Sequence, residues 1–207
     1  MGVRKEKNRL IKADFFRRET MVVAREILGK LLVRKVGGQR LSGRITEVEV
    51  YHGMDDLACH ASRGRTVRTE VMFGEAGRVY VYLIYGMYYC LNLVTMPPGW
   101  PAAILVRGMV PVEGIEIMKK NRLKKNVGLS NLTDGPGKIC QAMGIDKSLN
   151  GKRLGQKAGL WLEDDGMEVG KKKIVYGKRV GVGYAKHCAQ WEWNLRVNYE
   201  WGRDVLE

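Results

Sequence analysis

Residues 79–92 read V-Y-V-Y-L-I-Y-G-M-Y-Y-C-L-N and hold five of the nine tyrosines in the chain. The apolar positions alternate with period 2, which predicts a β-strand with Tyr80 and Tyr82 on one face. Tyr85 has the opposite parity and stands directly before Gly86, where a strand can kink or turn. An aromatic beside a glycine at a strand end can be pushed outward. On a basic chain, an outward aromatic suits stacking on nucleic-acid bases, although tyrosines are also ordinary residues of a sheet.

Working outward, more strands flank this one. Its return strand runs from Met87 to Thr95, and the Pro97-Pro98-Gly99 turn leads to another over Ala102–Val110. Upstream, Lys30–Lys35 alternates, Gly37-Gly38 turns the chain, and a strand follows over Leu41–Tyr51. Short strands are predicted at Leu160–Leu162, Lys173–Tyr176, Arg179–Val182 and Trp193–Asn198. Helices are predicted after Thr20 as N-cap, ending at Gly29; over Glu113–Lys120; and over Pro136–Met143, with proline near N1. Residues 52–78 form a long polar segment with little periodicity, and such a loop is often functional. Strands in hairpin-like runs rather than βαβ units give an α+β fold: a mixed domain with a curved, mostly antiparallel sheet and short peripheral helices. Residues 1–18 read as a basic N-terminal arm and residues 19–207 as one domain.

Composition narrows the function. The chain has 207 residues, 36 Lys and Arg against 22 Asp and Glu, and a formal net charge of +14. That surplus favours a polyanionic partner, because neutralising phosphates releases counterions. A solubility surface would look the same. The basic runs at residues 119–125 and 171–173, and Arg63, Arg65 and Arg68, fit either reading. No signal peptide, myristoylation pattern or membrane-span run is present, which implies a cytoplasmic protein. Cys59, Cys90, Cys140 and Cys188 are scattered, read as reduced thiols, and have no zinc spacing. G-P-G-K at 135–138 lacks the first glycine and the Ser/Thr of a P-loop, and G-V-G-Y-A-K at 181–186 lacks the third glycine of a dinucleotide fingerprint. No metal, nucleotide or redox cofactor is called for.

The chemistry concentrates on R-I-T-E-V-E-V-Y at 44–51. By simple alternation Ile45, Glu47, Glu49 and Tyr51 share one face, with the two carboxylates roughly 7 Å apart by strand rise. A carboxyl desolvated beside an aromatic has a raised pKa and can act as a general base. A charged edge strand is the plainer reading. Arg107 interrupts an apolar strand and needs a carboxylate partner, for which Glu47 and Glu49 are candidates. Asn92, also in an apolar run, must find partners or face a polar site. His60 lies in the long segment, in A-C-H-A-S-R-G-R.

Together these pieces resemble the alkyladenine (3-methyladenine) DNA glycosylase family. The resemblance is carried by T-E-V-E-V-Y, D-D-L-A-C-H, V-M-F-G-E-A-G-R-V-Y-V-Y-L-I-Y-G-M-Y-Y-C-L-N, I-L-V-R-G-M-V-P-V-E-G, L-T-D-G-P-G-K-I-C-Q-A-M-G-I, G-L-W-L-E-D and R-V-G-V-G-Y-A, in that order from about Thr20 to Asn198. It implies a single mixed α/β domain that flips a damaged purine out of double-stranded DNA and hydrolyses its N-glycosidic bond. Tyr85 would fill the vacated space in the duplex. Tyr51, His60 and Tyr82 would enclose the base, Glu49 would deprotonate the attacking water, and Arg107 would hold water and carboxylate. Asn92 would crowd an exocyclic amino group and so disfavour guanine. The substrates implied are alkylated or deaminated purines of the 3-methyladenine and hypoxanthine type. The family is monofunctional, and no lysine accompanies Glu49 on its strand. A monomer is expected, since one flipped base needs one pocket. One position departs from the pattern: Thr69 stands where the family often has Asn, which puts the hydrogen bonds of that loop in question. Two other classes compete: a lesion-binding module without chemistry, which has no need of Glu49 and Arg107, and a two-carboxylate glycosidase acting on carbohydrate.

Overall fold

The computed structural model describes residues 8–122 and 127–197. Its strands are β1 (Arg9–Leu10), β2 (Leu31–Val36), β3 (Gln39–His52), β4 (Val79–Ile84), β5 (Tyr88–Val94), β6 (Ala102–Glu113), β7 (Leu160–Asp164), β8 (Ile174–Gly177) and β9 (Asn194–Val197). They form one open antiparallel sheet in the order β1-β7-β2-β3-β6-β5-β4, with β9 on β3 and β8 on β9. Three α-helices accompany it: α1 (Thr20–Ile27), α2 (Ile115–Asn121) and α3 (Pro136–Met143). The α+β domain with a mostly antiparallel sheet is borne out.

The two faces of the sheet are covered differently. Val79, Val81, Leu91 and Leu93 turn into the main core with α1, α2 and α3. Their neighbours of opposite parity, Tyr80, Tyr82 and Val94, pack against Cys59, Ala61, Met72 and Phe73 on the other face. Period-2 alternation thus sends valine and leucine one way and tyrosine the other. The segment over residues 52–78 covers that second face through 3-10 turns at His60–Arg63 and Glu70–Phe73. Thr69 is buried there and supplies the loop's hydrogen bonds. Its Oγ1 accepts from the Thr66 amide at 2.8 Å and donates to the Gly64 carbonyl at 3.0 Å.

Local chemistry accounts for the departures from the sequence expectations. Glu19, not Thr20, caps α1, its carboxylate accepting from the amides of Met21 and Val22. The Thr20 hydroxyl instead bonds His52 and Thr95. α2 starts later than expected because Glu113 still pairs with Ser42 and Gly114 then adopts a φ of +76°. Residues 179–182 form a turn rather than a strand: the Val180 amide donates to the Glu49 side chain and the Arg179 side chain to Asp56, and the segment joins no ladder. The last strand covers Asn194–Val197, and Asn198 lies outside the described residues, as do Lys124 and Lys125.

Of the basic stretch over residues 1–18, the first seven residues lie outside the described part. Beyond them, β1 pairs with β7, and a 3-10 turn over Ala13–Arg17 buries Phe16 in the main core. Phe16→Ala is expected to cost about 3–5 kcal/mol in urea unfolding, the scale of a deleted core phenylalanine. A cost near zero would make this stretch an appended arm.

Candidate active site

The site begins at an irregularity in β3. Its pairing with β6 shifts register between Ile45 and Glu47 and again between Glu47 and Val48. The first shift skips Thr46 and the second skips Arg107. A bulge flips side-chain parity and re-aims the residues beyond it. Ile45 therefore joins Val48 and Val50 in the main core instead of sharing a face with the glutamates, which corrects the simple alternation. Glu49, Tyr51, Leu105 and Arg107 face a cavity on the other side.

Glu49 is fully buried. Its Oε1 accepts from the Val180 amide at 2.8 Å and from Asn194 Nδ2 at 3.2 Å, and its Oε2 accepts from the Tyr51 hydroxyl at 2.9 Å. Arg107 Nε lies 3.5 Å from Glu49 Oε1 but donates its hydrogen bond to Glu47 Oε1 at 2.9 Å. Asn194 Nδ2 also reaches Glu47 Oε1, at 2.7 Å. Donors, not apolar walls, therefore surround this carboxylate. The partner expected for Arg107 among the two glutamates is primarily Glu47.

Aromatic side chains make the walls. His60 meets Tyr82 edge-on, with ring centroids 4.6 Å apart, and its Nδ1 hydrogen-bonds the Tyr80 hydroxyl at 2.9 Å. Burial, reinforced by Arg68 and Arg63, pushes the His60 imidazole down to about 4. Burial also raises the hydroxyls of Tyr51 and Tyr82, helped by Glu49 and Cys90 respectively, so both phenols stay protonated. Asn92 is buried, its Nδ2 donating to the Tyr80 carbonyl at 3.2 Å. Tyr85 sits at the tip of the β4–β5 hairpin with φ +53°, followed by Gly86 at +69°. Positive φ at both central residues matches the right-handed twist of a hairpin, and is uncommon for a tyrosine. That conformation leaves Tyr85 80% exposed.

All seven residues singled out from the sequence (Glu49, Tyr51, His60, Tyr82, Tyr85, Asn92 and Arg107) line one cavity of about 950 Å³. A family model described as methylpurine-DNA glycosylase matches residues 14–199. The chain belongs to the methylpurine-DNA glycosylase family. A relative from Desulfitobacterium hafniense is 46% identical over 190 residues, covering 88% of this chain and 92% of its own length. One from Methanocella arvoryzae is 50% identical over 182 residues, covering 88% and 89%. One from Clostridium acetobutylicum is 44% identical over 191 residues, covering 89% and 92%. All three are assigned, by inference, as 3-methyladenine DNA glycosylases.

Sequence reasoning missed several residues of this cavity and its surroundings. Parity groups Tyr80 with Tyr82, but nothing in the spacing points to its bond with His60. Asn194 and the Val180 amide lie far from Glu49 in the chain and carry no local signal. Of the arginines in the long segment, Arg68 lines the cavity and lies over the Tyr82 ring at 5.2 Å, whereas Arg65 pairs with Glu70. Arg122 and Lys138 also line the cavity. The four cysteines are free and buried, and among the described residues no three His, Cys, Asp or Glu side chains are grouped to hold a metal.

The depressed His60 imidazole makes a pH prediction. Its pKa falls from 6.5 to about 4 in the fold, so the unfolded chain takes up a proton first as pH drops. The stability it contributes is complete above about 6.5 and is lost on the way down to about 4. His60→Gln should keep more of its neutral-pH stability than the parent protein when both are melted across that window. Parallel curves would remove His60 as a contributor.

Proposed function

We propose that this protein is a monofunctional DNA glycosylase that takes alkylated or deaminated purines, of the 3-methyladenine and hypoxanthine type, out of double-stranded DNA. The observation that carries this reading is a buried, donor-ringed carboxylate, Glu49, at the wall of an aromatic cavity beside the exposed Tyr85. A base stacked in a duplex shields its sugar carbon, so the target nucleotide must leave the helix to react. Tyr85, held outward on the hairpin tip, fills the gap. The base enters between Tyr51, His60 and Tyr82, with Arg68 adding positive charge at the wall. Asn92, its amide held by the Tyr80 carbonyl, is a fixed obstacle to an exocyclic amino group such as that of guanine.

The carboxylate geometry supports a general base. A carboxylate has about four lone-pair sites. Three are taken in Glu49, two on Oε1 and one on Oε2. The remaining site on Oε2 accepts a proton from water while the negative charge stabilises the oxocarbenium-like sugar. Among the described residues the Nη groups of Arg107 make no hydrogen bond, which leaves them free to hold that water. His60 is neutral at working pH and so is a wall and hydrogen-bond partner, not a cationic acid. Lys138, the lysine lining the cavity, is engaged by Asp134 at 2.6 Å, consistent with hydrolysis by water rather than Schiff-base chemistry. The protein works as a cytoplasmic monomer; among the described residues no helix is long and apolar enough to cross a membrane.

The test is base release from a duplex carrying one hypoxanthine and from alkylated DNA. Glu49→Gln should keep DNA binding and lose at least ~10²-fold in release, the scale of a lost general base. Unchanged turnover in Glu49→Gln would sink the mechanism, and no release by the parent protein would leave a lesion-binding module. Tyr85→Ala should weaken lesion binding by roughly 1–3 kcal/mol, the value of one stacked aromatic. Equal affinity for lesion and plain duplex in both proteins would argue against a plug.

A further inference from the structure

The most deeply buried ion pair among the described residues lies beside the cavity without lining it. The side chains of Arg179 and Asp56 are completely buried and joined in a fork, with Nη1–Oδ2 2.5 Å and Nη2–Oδ1 2.8 Å. Asp56 also accepts from the amides of His52 and Ala58. The guanidinium donates to two carbonyls as well, Val50 at 2.9 Å and Cys188 at 3.1 Å. Its carbon lies 4.9 Å from the Tyr51 ring centroid and 5.1 Å from that of Trp193. Val50 is the residue between Glu49 and Tyr51, and Val180, whose amide donates to Glu49, comes directly after Arg179.

We infer that Arg179 is a positioning residue: it fixes Tyr51 and the Val180 amide against Glu49 without touching the base. The inference rests on the glycosylase reading of the same cavity. A purely stabilising role explains less. Buried ion pairs add little net stability over apolar packing, because desolvation offsets the attraction. What a fork with four acceptors does supply is registration of separate segments. It ties the end of β3, the turn after it, the 179–182 turn and the 3-10 helix Lys186–Gln190 to one rigid group. Two of the three hydrogen bonds on Glu49, from Tyr51 and Val180, come from residues that this group holds. If they drift, the free lone pair on Oε2 no longer points at the water.

The test uses Arg179→Met combined with Asp56→Asn, which removes both charges and leaves no lone buried carboxylate, with Arg179→Lys as the conservative variant. In the double variant, the melt should remain cooperative and binding to the hypoxanthine duplex nearly unchanged. Single-turnover release at saturating protein should fall about 10²-fold, the scale of a group misplaced by about 1 Å. Arg179→Lys, with charge but no fork, should recover part of that loss. Hydrogen exchange of the Val180 amide, followed by NMR without DNA, should be much faster in the double variant. A full single-turnover rate, a Val180 amide as protected as in the parent, or a loss of binding parallel to the loss of rate would each overturn the positioning role. Should the double variant not fold, Arg179→Lys is judged on the same readouts. If the parent protein releases no base at all, the glycosylase reading fails, while the Val180 exchange still decides the clamp.

Discussion

A carboxylate can be buried in a protein interior only if donors satisfy most of its lone pairs. Glu49 is in that position, and its donors come from three separate parts of the chain: Tyr51 on β3, Val180 in the 179–182 turn, and Asn194 at the start of β9. Each donor demands a piece of the architecture. β9 must pair with β3 opposite β6, the 179–182 turn must fold back over the strand, and β3 must bulge so that Glu49 and Tyr51 leave the main core. The sheet topology around the cavity brings these three donors to the buried carboxylate.

The second constraint is the division of aromatic residues between inside and outside. Tyr51, Tyr80 and Tyr82 are held against the sheet by burial and hydrogen bonds, and His60 is kept neutral among them. Tyr85 differs from Tyr82 by three positions and by backbone conformation. Its positive φ at the hairpin tip trades local strain for exposure. Rigid walls and an exposed tip are thus set side by side around one cavity. The cavity also carries Arg68, Arg122 and Lys138, so some of the basic surplus lies at its walls.

Period and turn chemistry made much of this legible. The alternation in residues 79–94 marked the hairpin and the face of Tyr80 and Tyr82. Pro136 at N1 marked α3, whose span was read as observed. The seven site residues came from motif resemblance, and the fold gathers them around one cavity. Less visible were the effects of single-residue irregularities. The skip at Thr46 moved Ile45 to the core, because alternation carries no information about a bulge. A helix cap passed to Glu19, whose carboxylate accepts from the Met21 and Val22 amides. Residues 179–182 have the β-branched pattern of a strand, yet the Val180 amide goes to the Glu49 side chain instead of a ladder.

The sequence by itself determined a basic, mostly antiparallel α+β domain, an outward tyrosine beside a glycine, and a strand carrying two glutamates. These depend on periodicity, charge and local backbone preference, which act over a few residues. Only the tertiary structure decided that Arg107 bonds Glu47 while standing near Glu49, that Tyr80 holds His60, and that Arg179 and Asp56 lock the walls together. Those pairings join residues 20 to more than 120 positions apart. Their energies come from burial and hydrogen-bond satisfaction, which exist only once the chain has folded.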